Sequence, residues 1–428
     1  MFFNGLKEKL RVWAQRKRET IFVIDGPSQV GKTYFLGEFL EYYNGNYLYV
    51  DVKLHLDMLK KLLGSSYKSA EDFYTALCFE FNSQPIVSLK LLVFDGIEYC
   101  PKLRQFFKTL VTHSRVNILA TTCGGRGAQH YKNLLVPSEE DVNYMMPLNF
   151  YEFLKAINQK TLADYFKESI MHRTPISEYL SLKLYSSFKL YNLIGGYPLT
   201  ISQYNEKNDI SSCIETNSFI FQKQFEHAIG LMNKDDANLA LELRDGFAKF
   251  VANGKYNYFS DITAYKMKQL LSFLEEEYVV NISTALDIKN LSNQSNAKKV
   301  FFAHQCFLNA IGGFDKTTYF DGIELSNEVV LTDFYFNQRL YNKPLNFALD
   351  RSSRYSMSDA LIVNNMNVYL VQIKQKRLSV DYNINMSKKS DGSFQAGVLL
   401  FNGNVFKYDG VCVLPSYCSC VLNELFDR

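Results

Sequence analysis

Residues 26–33 carry the most specific chemical motif in the sequence. They match the pattern G-x-x-x-x-G-K-[ST] of a phosphate-binding loop, or P-loop. In such a loop the glycines let successive backbone N–H groups point at phosphate oxygens, the lysine reaches the β- and γ-phosphates, and the last hydroxyl ligates Mg²⁺. We therefore predict that ATP or ADP binds here with Mg²⁺. The predicted binding residues are Gly26, Pro27, Ser28, Gln29, Val30, Gly31, Lys32 and Thr33.

A P-loop also needs an acid at the end of a second strand. The run Leu91–Asp95 supplies it, and we expect Asp95 to hold Mg²⁺ together with Thr33. The following residue, where ATPases of the additional-strand class usually carry a glutamate that activates water, is Gly96. Glu98 is the nearest replacement, so the sequence predicts slow hydrolysis. Thr121 occupies the place of a polar sensor of the γ-phosphate.

The elements around these residues predict an α/β fold. Apolar runs alternate with helical patterns between residues 20 and 150, which is typical of a parallel sheet with helices on both faces. Predicted strands are Ile21–Asp25, Tyr47–Val52, Leu91–Asp95, Val116–Thr121 and Tyr144–Leu148; predicted helices are 32–43, 53–63, 70–81 and 101–113. With the P-loop between the first strand and the first helix, we predict a parallel P-loop NTPase sheet of the additional-strand class.

The remaining sequence predicts further domains. The pattern is helical after residue 150, then follows the order of a winged helix (helix, short helix, longer helix, strand), and ends in a mixed α/β region. The predicted order is a basic N-terminal helix (1–19), a P-loop ATPase domain (20–150), a helical domain (151–240), a winged-helix-like domain (241–295) and a C-terminal domain (296–428).

Composition excludes several protein classes. Of the 428 residues, 47% are hydrophobic and 21% charged, which is typical of a globular protein with a large core. No run of 18 apolar residues predicts a transmembrane helix, and the start lacks the apolar segment of a secretory signal. The eight cysteines are scattered without a zinc-type pair. We expect a cytoplasmic protein without a membrane partner.

Several motifs, in their order along the chain, resemble those of prokaryotic AAA-type P-loop ATPases with a C-terminal DUF4143 domain. The family's G-P-R-Q-V-G-K-T loop resembles Gly26–Thr33, its Walker B D-E-I-Q resembles Asp95–Glu98, and its P-L-S-F-x-E-F-L resembles Pro147–Leu154. Its G-G-x-P turn is similar to Gly195–Pro198, and its K-x-Y-F strand to Lys299–Phe302. The resemblance covers nearly the whole chain and implies an ATPase domain followed by a restriction-endonuclease-like domain.

The resemblance also implies a nuclease-type site in the C-terminal domain. Such sites hold Mg²⁺ with clustered carboxylates and polarise the attacking water with a lysine. The matching residues here are Glu328, Asp359, Gln372 and Lys374. Gln372 replaces a carboxylate by a neutral amide, which is a poor ligand for Mg²⁺, so the site is degenerate. An active nuclease, an inactive nuclease-like fold and an unrelated structural domain all remain open.

Three functional classes follow. The first, which we favour, is an ATP-binding, slowly hydrolysing ATPase that acts as a nucleotide-dependent conformational switch. The second is an ATP-dependent enzyme that processes DNA or RNA; a net charge of +3 neither demands nor excludes such a partner. The third is a non-catalytic assembly protein stabilised by nucleotide. A homo-oligomer is a further expected partner, because a neighbouring copy often supplies an arginine in this fold class.

Overall fold

The chain divides into two compact units in the computed structural model. The first unit contains Met1–Met146 together with Glu276–Tyr278, and the second contains Pro147–Glu275 and Val279–Arg428. The residues that the structure describes are 3–15, 21–65, 67, 69–82, 89–104, 106–107, 116–124, 140–241, 264–287, 293–312, 325–349, 358–364, 367–374, 396–401, 403–408 and 411–427.

A five-stranded parallel sheet forms the centre of the first unit. Its strands are β1 (Ile21–Asp25), β2 (Tyr47–Asp51), β3 (Leu91–Asp95), β4 (Asn117–Thr122) and β5 (Glu140–Tyr144). The strand order is β2-β3-β4-β1-β5, and every neighbouring pair is parallel. Strand β4 thus lies between the P-loop strand and the strand that carries Asp95. This α/β arrangement matches a P-loop NTPase, as the sequence predicts.

Both faces of this sheet are buried. Ile21 and Val23 of β1 belong to one apolar cluster, whereas Phe22 and Ile24 belong to another, because alternate residues of a strand point to opposite faces. The helices of the unit are α1 (Asn4–Gln15), α2 (Lys32–Glu41), α3 (Leu56–Gly64) and α4 (Ala70–Glu80). Helix α1 contributes Trp13, whose ring centroid lies 5.3 Å from that of Phe22. The N-terminal helix is therefore part of the core of this unit.

The last strand of the sheet differs from the prediction. The sequence predicts a strand over Tyr144–Leu148, but β5 ends at Tyr144. As an edge strand that pairs with β1, β5 is mostly polar and gives little apolar signal. The apolar residues that follow are buried outside the sheet, and Met145 N–H donates to Asp25 O at 2.7 Å. Burial alone therefore produced the false strand pattern.

The second unit begins with helices, as predicted. Helix α5 starts at a capping box in which Asn149 and Glu152 each accept a hydrogen bond from the other's backbone N–H. Pro198 opens α8 directly after the predicted turn at Gly195. The helices are α5 (Phe150–Ala156), α6 (Lys160–Met171), α7 (Glu178–Ile194), α8 (Pro198–Lys207), α9 (Ile210–Leu231) and α10 (Ala264–Glu276).

Two sheets follow in the second unit. Strands β6 (Val280–Asp287), β7 (Asn293–Phe302) and β8 (Asn346–Leu349) form one sheet with the order β7-β6-β8. The second sheet has the order β12-β13-β11-β10-β9, and its first pair in sequence, β9 and β10, is an antiparallel hairpin. Its strands are β9 (Ala360–Asn364), β10 (Asn367–Lys374), β11 (Ala396–Phe401), β12 (Phe406–Tyr408) and β13 (Val411–Pro415). Helices α11 (Cys306–Gly312), α12 (Asn327–Leu340) and α13 (Leu422–Phe426) complete the unit.

Part of the predicted winged helix falls outside the described residues, because residues 242–263 are not among them. That prediction, like the restriction-endonuclease-like fold of the C-terminal region, stays a prediction. Among the described helices, none is both long and apolar enough to cross a membrane.

Candidate nucleotide-binding site

The P-loop connects β1 to α2 in the conformation that its glycines require. A Cβ atom on Gly26 would lie 2.0 Å from Met145 O, so no larger residue fits at this position. Gly31 has φ +100°, and Gln29, which is not a glycine, also has a positive φ of 67°. Positive φ at a non-glycine residue stores strain, which is common at ligand sites. The loop is therefore shaped by close backbone approach and not only by sequence preference.

Lys32 points back across the loop. Its ammonium group donates to Gly26 O at 2.7 Å and to Pro27 O at 2.9 Å. Helix α2 begins at this residue, so its first N–H groups and the ammonium lie at the same end of the helix. The predicted lysine thus lies at the loop, where an anionic phosphate is favoured.

Asp95 collects hydrogen bonds from three hydroxyl groups. Its Oδ2 accepts from Thr33 at 2.8 Å and from Tyr49 at 2.7 Å, while its Oδ1 accepts from Thr121. Thr121 Oγ1 in turn accepts from Gly96 N–H at 2.9 Å. The structure thereby brings together Thr33, Asp95 and Thr121 from three separate elements. Burial, and then the bond to Asp95, raise the pKa of Tyr49, so it stays a donor.

Gly96 adopts a conformation that explains why no glutamate stands there. Its φ of +86° and ψ of 51° lie in the left-handed region, which residues other than glycine rarely adopt. A Cβ atom at this position would also lie 3.2 Å from the ring of Tyr99. The expectation that Gly96 merely lacks a catalytic side chain is incomplete, because the local backbone needs a glycine. Gly96→Glu is therefore not expected to raise turnover.

We predict that Gly96→Ala destabilises the protein by about 1–2 kcal/mol, the cost of a left-handed conformation for an L-residue. The matched control is Gly37→Ala, at an exposed position of α2 where no described atom lies within 4 Å of the added Cβ. That change is expected to stabilise by roughly 0.5–1 kcal/mol, because alanine is the better helix former. Shifts of the thermal unfolding midpoint in opposite directions would agree with this, whereas equal midpoints would contradict it.

Glu98 lies on the short 3₁₀ helix Ile97–Tyr99 that follows Gly96. Its side chain is buried, and this burial raises the pKa of its carboxyl to about 7. The charge of Lys32 and hydrogen bonds from its own backbone and that of Cys123 oppose the shift, while Asp95 adds to it. Glu98 is therefore close enough to Lys32 and Asp95 to feel both charges. A carboxyl with a pKa near 7 is suited to accept a proton at neutral pH.

A buried carboxylate from far along the chain joins this edge of the sheet. Glu277 belongs to the first unit although it follows β5 by more than 130 residues, and its side chain is fully buried. The loop at Gly124 has φ +68°, and a Cβ there would lie 2.5 Å from Glu276 O. Burial, and then the charges of Glu98 and Asp25, raise the pKa of Glu277 well above its usual value. This residue could not be assigned from sequence, since no motif marks it.

Asp25 completes this acidic edge. It ends β1 directly before the P-loop, is buried, and accepts a hydrogen bond from Gly124 N–H at 3.0 Å. Burial raises the pKa of Asp25, and the charge of Lys32 and a hydrogen bond from the Tyr278 hydroxyl oppose that shift. The charge of Lys32 thus opposes the pKa shifts of Asp25, Glu98 and Glu277, and the charge of Arg104 also opposes that of Asp25.

The residues of the site fit a nucleotide phosphate with Mg²⁺. The loop has no room for a Cβ at Gly26, and the neighbouring donor set combines an ammonium group with helix N–H groups, as an anion requires. Thr33 and Asp95 offer a hydroxyl and a carboxylate oxygen 2.8 Å apart, which are ligands that Mg²⁺ prefers. Thr33 and Asp95 would hold the metal, and the P-loop would hold the phosphates.

The predicted nuclease-type residues partly meet in the second unit. Asp359 Oδ2 accepts from Ile373 N–H at 2.8 Å. Burial raises the pKa of Asp359; the charges of Lys299 and Lys374 oppose this shift, and Glu328 adds to it. Asp359 therefore has two lysines and one glutamate near it, and Lys299 is a neighbour that the sequence did not predict.

Gln372, the remaining residue of the predicted nuclease-type site, lies on β10. Gln372 and Lys374 are two residues apart on that strand, so they share one face of the sheet. Gln372 therefore places a neutral amide at the position where the implied nuclease-type site needs an anionic ligand for Mg²⁺.

The sequence of residues 18–154 matches the family model of an AAA domain. This segment is an AAA-type P-loop domain. The match covers less than half of the chain, and the resemblance of the C-terminal region to DUF4143 stays a prediction. No curated protein matches the chain.

Three solved structures are similar to the chain at low identity. A signal transduction ATPase (STAND) with a tetratricopeptide repeat sensor from Pyrococcus horikoshii is 14% identical with a TM-score of 0.27, over 79% of this chain and 45% of that one. PCH-2 of C. elegans is 12% identical with a TM-score of 0.28, over 50% and 66%. Drosophila ORC bound to DNA is 13% identical with a TM-score of 0.27, over 72% and 98%. The chain thus spans less than half of the first structure, and TM-scores this low carry no argument about function.

Proposed function

We propose that the chain is an ATP-binding, slowly hydrolysing ATPase that acts as a nucleotide-dependent conformational switch. The observation that carries this proposal is the 2.8 Å contact between Thr33 and Asp95, which joins the P-loop to the predicted metal ligand. When bound, Mg²⁺ neutralises charge on the β- and γ-phosphates. Lys32 contributes a further positive charge, and the backbone N–H groups of Gly26–Thr33 orient the phosphates.

Glu98 is the residue that we propose as general base. It takes the place of the glutamate that Gly96 cannot provide, and its pKa of about 7 leaves only part of the protein in the basic form at neutral pH. It also lies on a 3₁₀ helix, two residues beyond the usual position. Both features support slow turnover.

The segment Glu276–Tyr278 belongs to the first unit although the residues on both sides of it belong to the second, and this arrangement supports a nucleotide-dependent conformational switch. These three residues lie at the acidic edge that includes Asp25 and Glu98, near Lys32. A nucleotide triphosphate adds negative charge at the same edge, which further disfavours the ionised forms of these buried carboxyl groups. Nucleotide occupancy is thus expected to alter the placement of this segment, and with it the ends of α10 and β6 to which the segment is bonded.

A second candidate is ATP-dependent processing of nucleic acid by the C-terminal region. The lysines near Asp359 favour contact with phosphate, whereas Gln372 argues against a strong Mg²⁺ site. We therefore propose a degenerate, non-cleaving nuclease-type site. The third class, a nucleotide-stabilised assembly protein, shares the P-loop but predicts no turnover.

The deciding experiment measures ATP turnover by the wild-type protein with and without DNA and RNA, together with cleavage of those nucleic acids. We expect slow, Mg²⁺-dependent turnover, no cleavage, and limited proteolysis patterns that differ between ADP and a non-hydrolysable ATP analogue. Cleavage that is lost in Asp359→Ala and kept in the exposed control Asp427→Ala would establish the second class. Tight binding with no turnover and identical proteolysis patterns would establish the third.

A further inference from the structure

Tyr49 is placed unusually for a tyrosine on an edge strand. It lies on β2, where Leu48 and Val50 belong to the core cluster on one face of the sheet and Tyr49 packs against the cluster on the other. Strand β2 pairs with β3 so that Asp51 stands beside Asp95. From two residues earlier, the Tyr49 hydroxyl reaches Asp95 Oδ2 at 2.7 Å. Its ring is therefore anchored by packing while its polar end is directed at the predicted metal ligand.

The hydrogen bonds of Asp95 show what this contact contributes. An ionised carboxylate has about four acceptor positions, and the described hydroxyls of Thr33, Tyr49 and Thr121 occupy three. The donors come from α2, β2 and β4, so the carboxylate is tied to three separate elements. This arrangement fixes both oxygens in place before any metal arrives.

The three hydroxyl groups that donate to Asp95 differ in their other contacts and roles. Thr33 is the P-loop hydroxyl that serves as a metal ligand, and Thr121 also accepts from Gly96 N–H. Tyr49 belongs to no phosphate-binding or metal-binding motif. A phenylalanine would preserve the apolar packing of its ring, so the hydroxyl is the part whose contact is specific to Asp95.

We propose that Tyr49 is a positioning residue of the magnesium site, which holds the Asp95 carboxylate in the orientation that receives a metal-bound water. This inference rests on the proposed function, because it concerns the same Mg²⁺-ATP site. Groups that hydrogen-bond a metal ligand from behind orient that ligand, and their loss commonly costs about 10- to 100-fold in metal affinity or activity.

The test measures ATP affinity by calorimetry in EDTA and over a series of Mg²⁺ concentrations up to saturation, for four proteins. These are wild type, Tyr49→Phe, Asp95→Asn and the control Tyr47→Phe, which makes the same chemical change two residues earlier on β2 at an exposed side chain. We expect Mg²⁺ to tighten ATP binding to wild type and to Tyr47→Phe equally. In Tyr49→Phe the Mg²⁺ concentration needed for half of the tightening rises about tenfold, and Asp95→Asn loses most of the tightening.

The affinity in EDTA separates positioning from folding. Tyr49→Phe is expected to bind ATP as wild type does when no metal is present. A Mg²⁺ requirement equal to that of wild type would overturn the role of Tyr49 while leaving the proposed function intact. Equal weakening with and without Mg²⁺ would assign Tyr49 to the fold and also overturn it. Wild type that binds no ATP would end the proposed function and this inference together.

Discussion

Lys32→Ala is expected to lower ATP affinity by about 100-fold or more. The ammonium group lies across the P-loop, where it donates to Gly26 O and Pro27 O. On phosphate binding, the same donors are expected to turn to the β- and γ-phosphates, and each hydrogen bond between charged groups is worth roughly 1.5–3 kcal/mol. Two such bonds lost correspond to about two powers of ten or more. Isothermal titration with ATP in Mg²⁺ measures the change directly.

The matched control for this change is Lys90→Ala. Lys90 is an exposed lysine directly before β3, at the amino end of that strand, whereas the site lies at the carboxyl end. Its removal changes net charge by the same amount and is expected to leave ATP affinity within about twofold, since exposed charges at such distances are screened by salt. ATP affinity that is undiminished in Lys32→Ala would refute the P-loop assignment.

Glu98→Gln is expected to reduce ATP turnover by about 10²-fold or more without weakening ATP binding. Positioned general bases typically contribute about 10²–10⁴-fold, and an amide cannot accept the proton of the attacking water. Binding is expected to stay equal or to tighten, because the change removes a buried carboxyl group that lies near Lys32 and Asp95. Single-turnover kinetics at saturating ATP separate the two effects.

The pH dependence gives a second signature of Glu98. Lys32 and Asp95 act on its charge, and the titratable groups of Glu277, Tyr99 and Cys123 interact with it as well. Only the deprotonated form is a base, so wild-type turnover should rise as pH increases through about 7. This rise should be absent in Glu98→Gln.

The contribution of Glu98 to the free energy of unfolding should fall as pH rises, whereas turnover rises. The folded protein holds the Glu98 proton more tightly than the unfolded chain, whose carboxyl has a pKa of 4.5. The associated stabilisation is complete below pH 4.5 and is lost as pH rises through about 7. Glu98→Gln removes this contribution.

The control for Glu98 is Glu80→Gln, at the exposed last residue of α4. It should keep wild-type turnover and the wild-type pH profile. Unchanged turnover in Glu98→Gln would show that another group, or none, activates the water.

Much of the first unit could be predicted from sequence because its signals are local. The P-loop consists of consecutive residues, and the buried strands β1 and β3 are continuous apolar runs that end in aspartate. These features depend on glycine angles and on burial of both sheet faces, which the sequence displays directly. The placement of Thr33 near Asp95 then follows from parallel strands that end at one edge of the sheet.

Features that depend on distant contacts could not be predicted. The polar edge strand β5 has little apolar pattern, whereas the buried Met145–Leu148 run has one without being a strand. Tyr49 is one of many tyrosines until its neighbour on β3 is known, and Glu277 has no motif. From the sequence, Gly96 could be interpreted only as the loss of a catalytic glutamate. Its positive φ shows that the backbone at this position requires a glycine.

The discontinuous make-up of the first unit has a consequence for synthesis on the ribosome. Glu276 follows Met146 by 130 residues, and Tyr278 supplies a hydroxyl to Asp25 beside the P-loop. At about 5–20 residues per second, translation needs several seconds to add that stretch, during which the nascent first unit lacks its final segment. A polypeptide truncated at Met146 would lack it permanently.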